Sequence, residues 1–390
     1  MTRVDRGFPV KEYRARLNAA QKMMASADLG ALLLSTEPEI RYFSGFLTRF
    51  WESPTRPWYM LIPAQGNPIA VIPSIGGHLM AQTWIEDIRT WQSPDYSDDG
   101  VGLLSDTIRE CVPEDGRIGV PSGPESCLRM PLANWDALRA DMGTHRFTDD
   151  AGIVRSLRAV KSELEIAKIR QACAIAGSAF GDVHRLAALG DSLDRVFRRF
   201  QSACLEYGAD WVGYLAGGAG PQGYLDVISP AAEVPLAFGD VLMLDTGVVW
   251  DGYYCDFDRN YAVGKPDKPS QSAYARLIEA TDRAFETARP GATAAELFHA
   301  MNAVTSEKKS DGQPGRLGHG LGMQLTEGVS LIPDDHTVLE AGMVLTLEPV
   351  VTVSPGRFLV HEENIVVRNS GAEYLSNPAS RKLPVLGECS

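Results

Sequence analysis

The chain has 390 residues, with 37 Lys and Arg against 50 Asp and Glu, for a net charge of −13. That length suits two or three domains, and 44% apolar residues can give each a core, which excludes a disordered or low-complexity chain. The acid excess excludes nucleic acid and anionic membrane as partners, because both need a basic stripe against phosphates.

Lys11 to Ala27 reads as an amphipathic helix and Leu29 to Leu34 as a short apolar strand. Arg41-Tyr-Phe-Ser-Gly45 follows a turn. Trp58 to Pro63 and Pro68 to Ile72 read as strands joined at Gly66. Ile118-Gly-Val is a further strand, and Pro131 to Met142 a helix. This alternation predicts an α/β domain over residues 1–150. A boundary falls between Thr148 and Lys161. Ser162 and Glu165 then form a capping box, and Ile166, Ile169, Cys173, Ala176, Phe180 and Val183 share one buried helix face. Leu193 to Tyr207 is a second helix, stopped by Gly208. Its run Arg195-Val-Phe-Arg198-Arg199, the densest basic stretch, reads as a solvated face. Ser270 to Thr287 is a third helix, and Thr293 with Glu296 caps a fourth. Hairpins lie between and after these helices. Residues 156–390 therefore read as an α+β domain with a mainly antiparallel sheet.

No apolar run nears the roughly 18 residues of a spanning helix, and the N-terminus has no signal-peptide h-region. Six scattered cysteines without a C-x-x-C pair predict reduced thiols and a cytoplasmic protein.

Three segments carry the chemistry. In Val241-Leu-Met-Leu-Asp245 to Arg259, Asp251-Gly252 is a strong two-residue hairpin turn. It sets Asp245 opposite Asp258 and Gly247 opposite Asp256. Asp245, Asp256 and Asp258 then project from one sheet face, where three like charges need a cation between them. Arg259 points to the other face. In the second segment, a hairpin centred on Pro355-Gly356 sets Glu348 opposite Glu363, with His361 on the same face. A buried, opposed Glu pair wants a cation or a shared proton. The third is Gly318-His319-Gly320-Leu-Gly322, whose glycines allow close backbone approach to the ring. Carboxylates plus one imidazole suit Mn, Co, Zn or Fe, and four carboxylates can neutralise two divalent ions. Two such ions clamp and activate a hydroxide for attack on a carbonyl.

The series Asp245, Asp256, Gly-His319-Gly, Glu348-Pro and Glu363-Asn resembles the pita-bread metallohydrolases of peptidase clan M24 (methionine aminopeptidase, aminopeptidase P and prolidase). Residues 1–150, with Ile40-Arg-Tyr-Phe-Ser-Gly45-Phe, resemble the creatinase/prolidase N-terminal domain. Lys161-Ser-Glu-Leu-Glu165-Ile resembles the helix opening the catalytic domain. The resemblance implies that Asp245, Asp256 and Glu363 hold one metal ion, and Asp256, His319, Glu348 and Glu363 the other, with Glu348 also moving protons. It implies two divalent ions, Mn2+ before Co2+, Zn2+ or Fe2+. It implies hydrolysis of an amide or other C–N bond in a short peptide or small metabolite, by a metal-bridging hydroxide. It also implies a homodimer, each N-terminal domain near its partner's active site.

Departures from that family mark the substrate side. Proline-directed members carry a second histidine where this chain has Thr326, and another in the region of Gly217 to Pro230, which here has none. Prolidase-like members usually have arginine where His361 is read. Xaa-Pro specificity is therefore not expected. The alternatives are a creatinase-like, ectoine hydrolase-like or dimethylsulfoniopropionate lyase-like enzyme acting on a small osmolyte, and, further off, a non-catalytic peptide-binding protein. Arg49, Trp51 and Arg56 form a loop suited to a carboxylate-bearing ligand. Tyr224, Thr326 and His361 are further candidates for substrate contact, and His361 also for catalysis.

Overall fold

The computed structural model describes residues 4–52, 56–306 and 315–386, which divide into two compact units, Asp5–Arg158 and 159 onward. The first unit contains α1 (Val10–Ala27), β1 (Ala31–Leu34), α2 (Glu37–Ser44), β2 (Tyr59–Pro63), β3 (Ile69–Pro73), α3 (Gly77–Met80), β4 (Asp87–Trp91), α4 (Val101–Cys111), β5 (Arg117–Val120), α5 (Leu132–Asp141), β6 (Arg146–Asp149) and α6 (Ile153–Ala159). Its six strands form one mixed sheet in the order β4-β3-β2-β1-β5-β6. Strands β1 to β3 are fully buried, as their unbroken apolar runs require. The segment after the expected turn is a helix, α2. Thr36 and Glu39 form a capping box, a Pro stands in the first turn, and Gly45 ends it at φ 80°.

The second unit contains α7 (Glu163–Gly181), α8 (Val183–Leu186), α9 (Leu193–Glu206), β7 (Trp211–Pro221), β8 (Asp240–Trp250), β9 (Tyr253–Tyr254), β10 (Phe257–Ala262), α10 (Lys268–Thr287), α11 (Ala294–Thr305), β11 (Val344–Leu347), β12 (Val350–Ser354), β13 (Arg357–Val360), β14 (Glu363–Arg368) and β15 (Gly371–Tyr374). Every named strand pair here is antiparallel. The sheets are β10-β8-β7 with β9 on β8, β11-β14-β15, and β12-β13. Both expected capping boxes form, at Ser162 with Glu165 and at Thr293 with Glu296. All six apolar residues assigned to the face of α7 and α8 are buried.

No helix among the described residues is long and apolar enough to cross a membrane. The five described cysteines are free, and Cys173, Cys204 and Cys255 are buried. Cys389 lies outside the described residues.

Candidate metal centre

The first hairpin forms in the expected register. Asp251 and Gly252 turn with positive φ of 48° and 79°, and Asp245 on β8 faces Asp258 on β10. The apolar run Val241 to Leu244 is buried, so the strand carries Asp245 to the site as part of the core. Asp256 sits where the ladder is interrupted between β9 and β10. Asn364 replaces the missing partners. Its Oδ1 accepts the Asp256 N–H at 2.9 Å, and its side-chain amide donates to the Asp256 carbonyl. The Asp256 backbone is thereby satisfied in an irregular position, and its carboxylate is left to face inward.

His319 is held by its own backbone. Its N–H donates to Thr346 Oγ1 at 3.1 Å, and its carbonyl accepts from the Thr346 N–H at 2.7 Å. A Cβ at Gly318, whose φ is 132°, would lie 2.3 Å from the Thr346 carbonyl oxygen, and one at Gly320 would lie 2.0 Å from that of Glu327. Only glycine admits this approach at both positions. The ring Nδ1 lies 2.9 Å from the Gly320 carbonyl, which can only accept, so Nδ1 carries the proton. Burial lowers the imidazole pKa to about 4, so the ring is neutral at pH 7 and presents the lone pair of Nε2. That atom is 3.3 Å from Asp256 Oδ2. Two acceptors at this distance fit a cation held between them, the arrangement of a histidine ligand oriented by its other nitrogen.

The second hairpin corrects the expected register. Ser354 pairs with Arg357 around the Pro355-Gly356 turn, but an irregularity between Thr352 and Ser354 adds one residue to β12. Beyond it Val350 faces Val360 and Leu347 faces Glu363, so Glu348 and Glu363 are not opposed. A one-residue slip exchanges the two faces of a strand. Glu362, not Glu363, joins the inner cluster: Asp256, His319 and Glu362 each bring a ligand atom within 4.8 Å of the others.

Glu363 belongs to a neighbouring ionic network. It accepts from Arg259 at 3.0 Å, from the Ala379 N–H at 2.8 Å and from the Ser376 hydroxyl. Burial alone would raise its pKa, but Arg259, His361 and Ser376 outweigh it and hold the carboxyl at about 2. His361 bridges this network, with Nδ1 3.2 Å from Asp258 and Nε2 3.4 Å from Glu363. Burial opposes its charge, yet the two carboxylates raise its pKa to about 9.

The cluster itself has the opposite electrostatics. Burial pushes the carboxyls of Asp245, Asp256 and Glu362 well above their ordinary values, and mutual repulsion adds to it. Glu348 is raised to about 7 by burial and by Asp258. Asp245 Oδ1, Asp256 Oδ1, Asp258 Oδ2 and Glu362 Oε1 are buried atoms without a hydrogen-bond partner. Buried anionic oxygens without donors are costly, and a divalent cation bound among them would relieve that cost. The residues thus fit a metal centre. Asp245 and Glu348 are partly exposed, so the site opens on their side.

The candidates for substrate contact separate. Tyr224 is 1% exposed and packs in the core with Val241, Met243 and Leu359. Its hydroxyl accepts the Val360 N–H at 2.6 Å and donates to Asn260 at 3.2 Å, so it has no free edge for substrate. His361 is likewise buried with both nitrogens engaged, which places it behind the site rather than in it. Thr326 is partly exposed and accepts from Arg316 at 3.4 Å. Arg49, Trp51 and Arg56 lie in the first unit. Arg49 pairs with Glu52, Trp51 packs on Trp58 and under Arg129, and Arg56 lies over Phe50. Residues 53–55 of that loop lie outside the described residues.

Three residues not singled out from sequence also bear on the site. Glu362 had an identical neighbour, so residue type could not separate them. Arg316 exerts its positive charge on Asp256 and Glu348. Tyr214, on β7 opposite Gly247, favours the charged form of Asp245 on the neighbouring strand.

Residues 167–369 match metallopeptidase family M24, and residues 16–160 the creatinase/prolidase N-terminal domain. A probable dipeptidase PepE of Mycobacterium tuberculosis is 28% identical over 380 residues, covering 96% of both chains. The crystal structure of dipeptidase PepE from Mycobacterium ulcerans aligns with a TM-score of 0.82 at 25% identity, over 97% of this chain and 99% of that one. A prolidase from Thermococcus sibiricus shares the fold, with a TM-score of 0.86 at 21% identity over 97% of this chain and all of that one. The inward-facing carboxylates, the neutral histidine and these matches agree: the chain belongs to metallopeptidase family M24 and is a metal-dependent hydrolase.

Proposed function

We propose that the protein is a dinuclear metal-dependent dipeptidase. Asp245, Asp256, His319, Glu348 and Glu362 would hold two divalent ions, with Asp256 and Glu362 shared. The observation that carries this reading is that Asp256, neutral His319 and Glu362 each bring a ligand atom within 4.8 Å of the others, among buried carboxylate oxygens without hydrogen-bond partners. Mn2+ suits the oxygen-rich set best, ahead of Co2+, Zn2+ and Fe2+. Bound ions would polarise the scissile carbonyl and lower the pKa of the attacking water.

The chain's own groups supply the rest. Glu348 is partly exposed, on the open side of the site, where it would take the proton of the attacking water and return it to the leaving amine. Tyr214 favours the charged form of Asp245. Arg316, at the exposed edge with Thr326, suits the terminal carboxylate of a short peptide. The relatives named dipeptidase support a short peptide as substrate.

The missing second histidine at Thr326 argues for a preference other than Xaa-Pro. With Glu362 as the ligand, the arginine position of prolidase-like members moves from His361 to Val360, which leaves that arginine absent as well. A homodimer, with the Arg49, Trp51 and Arg56 loop near the partner's site, and a cytoplasmic location complete the proposal. The test is a screen of metal-supplemented protein on Xaa-Pro dipeptides, other dipeptides and small N-substituted amides. Cleavage of non-proline dipeptides is expected. Turnover of small amides alone would replace this reading with an osmolyte hydrolase.

A further inference from the structure

Asp258 stands outside the set of metal ligands just proposed, yet it shares their surroundings. It directly faces Asp245 across β8 and β10, so the two carboxylates leave the sheet side by side. It is 1% exposed. Its two oxygens have different roles. Oδ1 accepts the Glu362 N–H at 3.0 Å and lies 3.2 Å from His361 Nδ1. Oδ2 is buried and has no partner, as is Asp245 Oδ1. Asp258 is also the strongest charge acting on Asp245 and on Glu348.

We propose that Asp258 Oδ2 is an additional oxygen donor to the divalent ion on the Asp245 side, and that His361, in contact with its other oxygen, is the positioning residue that orients it. The inference rests on the dinuclear reading above. Its Oδ1 is fixed by the His361 ring and the Glu362 N–H, which leaves Oδ2 as the oxygen available to a cation. The donor count of the cluster then rises by one. A hard cation that accepts many oxygen ligands, such as Mn2+, gains more from this than Zn2+, which settles with four. The Asp258 to Glu362 N–H bond also ties the added donor to a neighbouring ligand, so both move as one unit.

The test uses the full chain, stripped of metal and titrated calorimetrically with Mn2+ and with Zn2+. Asp258→Asn keeps an oxygen for the Glu362 N–H and removes only the second anionic oxygen. One Mn2+ should bind as in the unaltered protein, and the other at least tenfold more weakly. The loss for Zn2+ should be smaller. The metal-free melting temperature should change little, because relieved repulsion with Asp245 offsets the weakened contact with His361. His361→Gln should weaken the same Mn2+ ion, by less than Asp258→Asn does. Two Mn2+ ions bound by Asp258→Asn at unaltered affinity would overturn the proposal. So would a large fall in its metal-free melting temperature with both ions weakened equally, the mark of a purely structural residue. If the unaltered chain binds no divalent ion, the dinuclear reading itself fails.

Discussion

Glu362 and Glu363 are chemically identical neighbours with opposite surroundings, so exchanging each for glutamine separates stability from metal binding. Glu363 is buried with Arg259 and His361 as counter-charges. Its folded pKa of about 2 lies below the ordinary 4.5, and that gap is worth about 3 kcal/mol at neutral pH. The contribution is present above pH 4.5 and is lost as the pH falls toward 2. Breaking a buried ion pair by removing one partner costs about 3–5 kcal/mol by an independent route, which agrees. For a unit of this size the melting temperature of Glu363→Gln should fall by about 6–12 °C. Its metal content should survive. Glu362→Gln removes a carboxylate that burial and Asp256 disfavour, so the metal-free protein should melt no lower than the unaltered one. It should, however, lose metal and activity. Differential scanning fluorimetry with elemental analysis of both variants reads out both effects. A Glu362→Gln protein that keeps its full metal complement would refute the assignment. So would a Glu363→Gln protein that loses metal without losing stability.

The raised carboxyls and the raised His361 act in the same direction on the metal-free protein. Glu348 holds its proton to about pH 7 in the fold but only to 4.5 when unfolded, so stability falls as pH rises through that window. His361 stabilises fully below 6.5 and less as pH rises through about 9. His319, lowered to about 4, acts the other way below pH 6.5, so the metal-free melting temperature should drop between pH 6.5 and pH 8, and Mn2+ should flatten that drop; a rise there would contradict the electrostatics. Gly320→Ala places a Cβ against the Glu327 carbonyl and should shift His319, lowering both melting temperature and kcat/KM in side-by-side assays. Asn364→Ala strips two buried backbone groups of Asp256 of their partner, at about 1–3 kcal/mol each, and hydrogen exchange at Asp256 should accelerate.

The parts of the site that could be read from sequence are those with a local chemical signature. Asp251-Gly252 dictates a tight turn, and strict alternation from it brings Asp245 and Asp258 face to face. The glycines around His319 announce close backbone packing. The second hairpin lacks such a signature at its decisive point. Thr352, Val353 and Ser354 are ordinary strand residues, and nothing in them marks the irregularity that shifts the register by one. That single residue moved the inner carboxylate from Glu363 to Glu362. Helix α2 was hidden for a related reason: eight residues are too few for a periodic pattern, and its Pro reads as a turn unless Thr36 and Glu39 are taken as a cap. Tyr224 looked available beside glycines, but its burial comes from Phe358 and the β12–β13 hairpin, more than 120 residues away in the chain. Long-range burial of this kind leaves no local trace.

The most direct test of the central claim is dipeptide hydrolysis by the full chain, first stripped by a chelator and then reloaded with Mn2+. The site predicts no cleavage after stripping, and cleavage restored as close to two ions bind per chain. A stripped protein that cleaves as fast as the loaded one would contradict it, as would a loaded protein that cleaves no dipeptide.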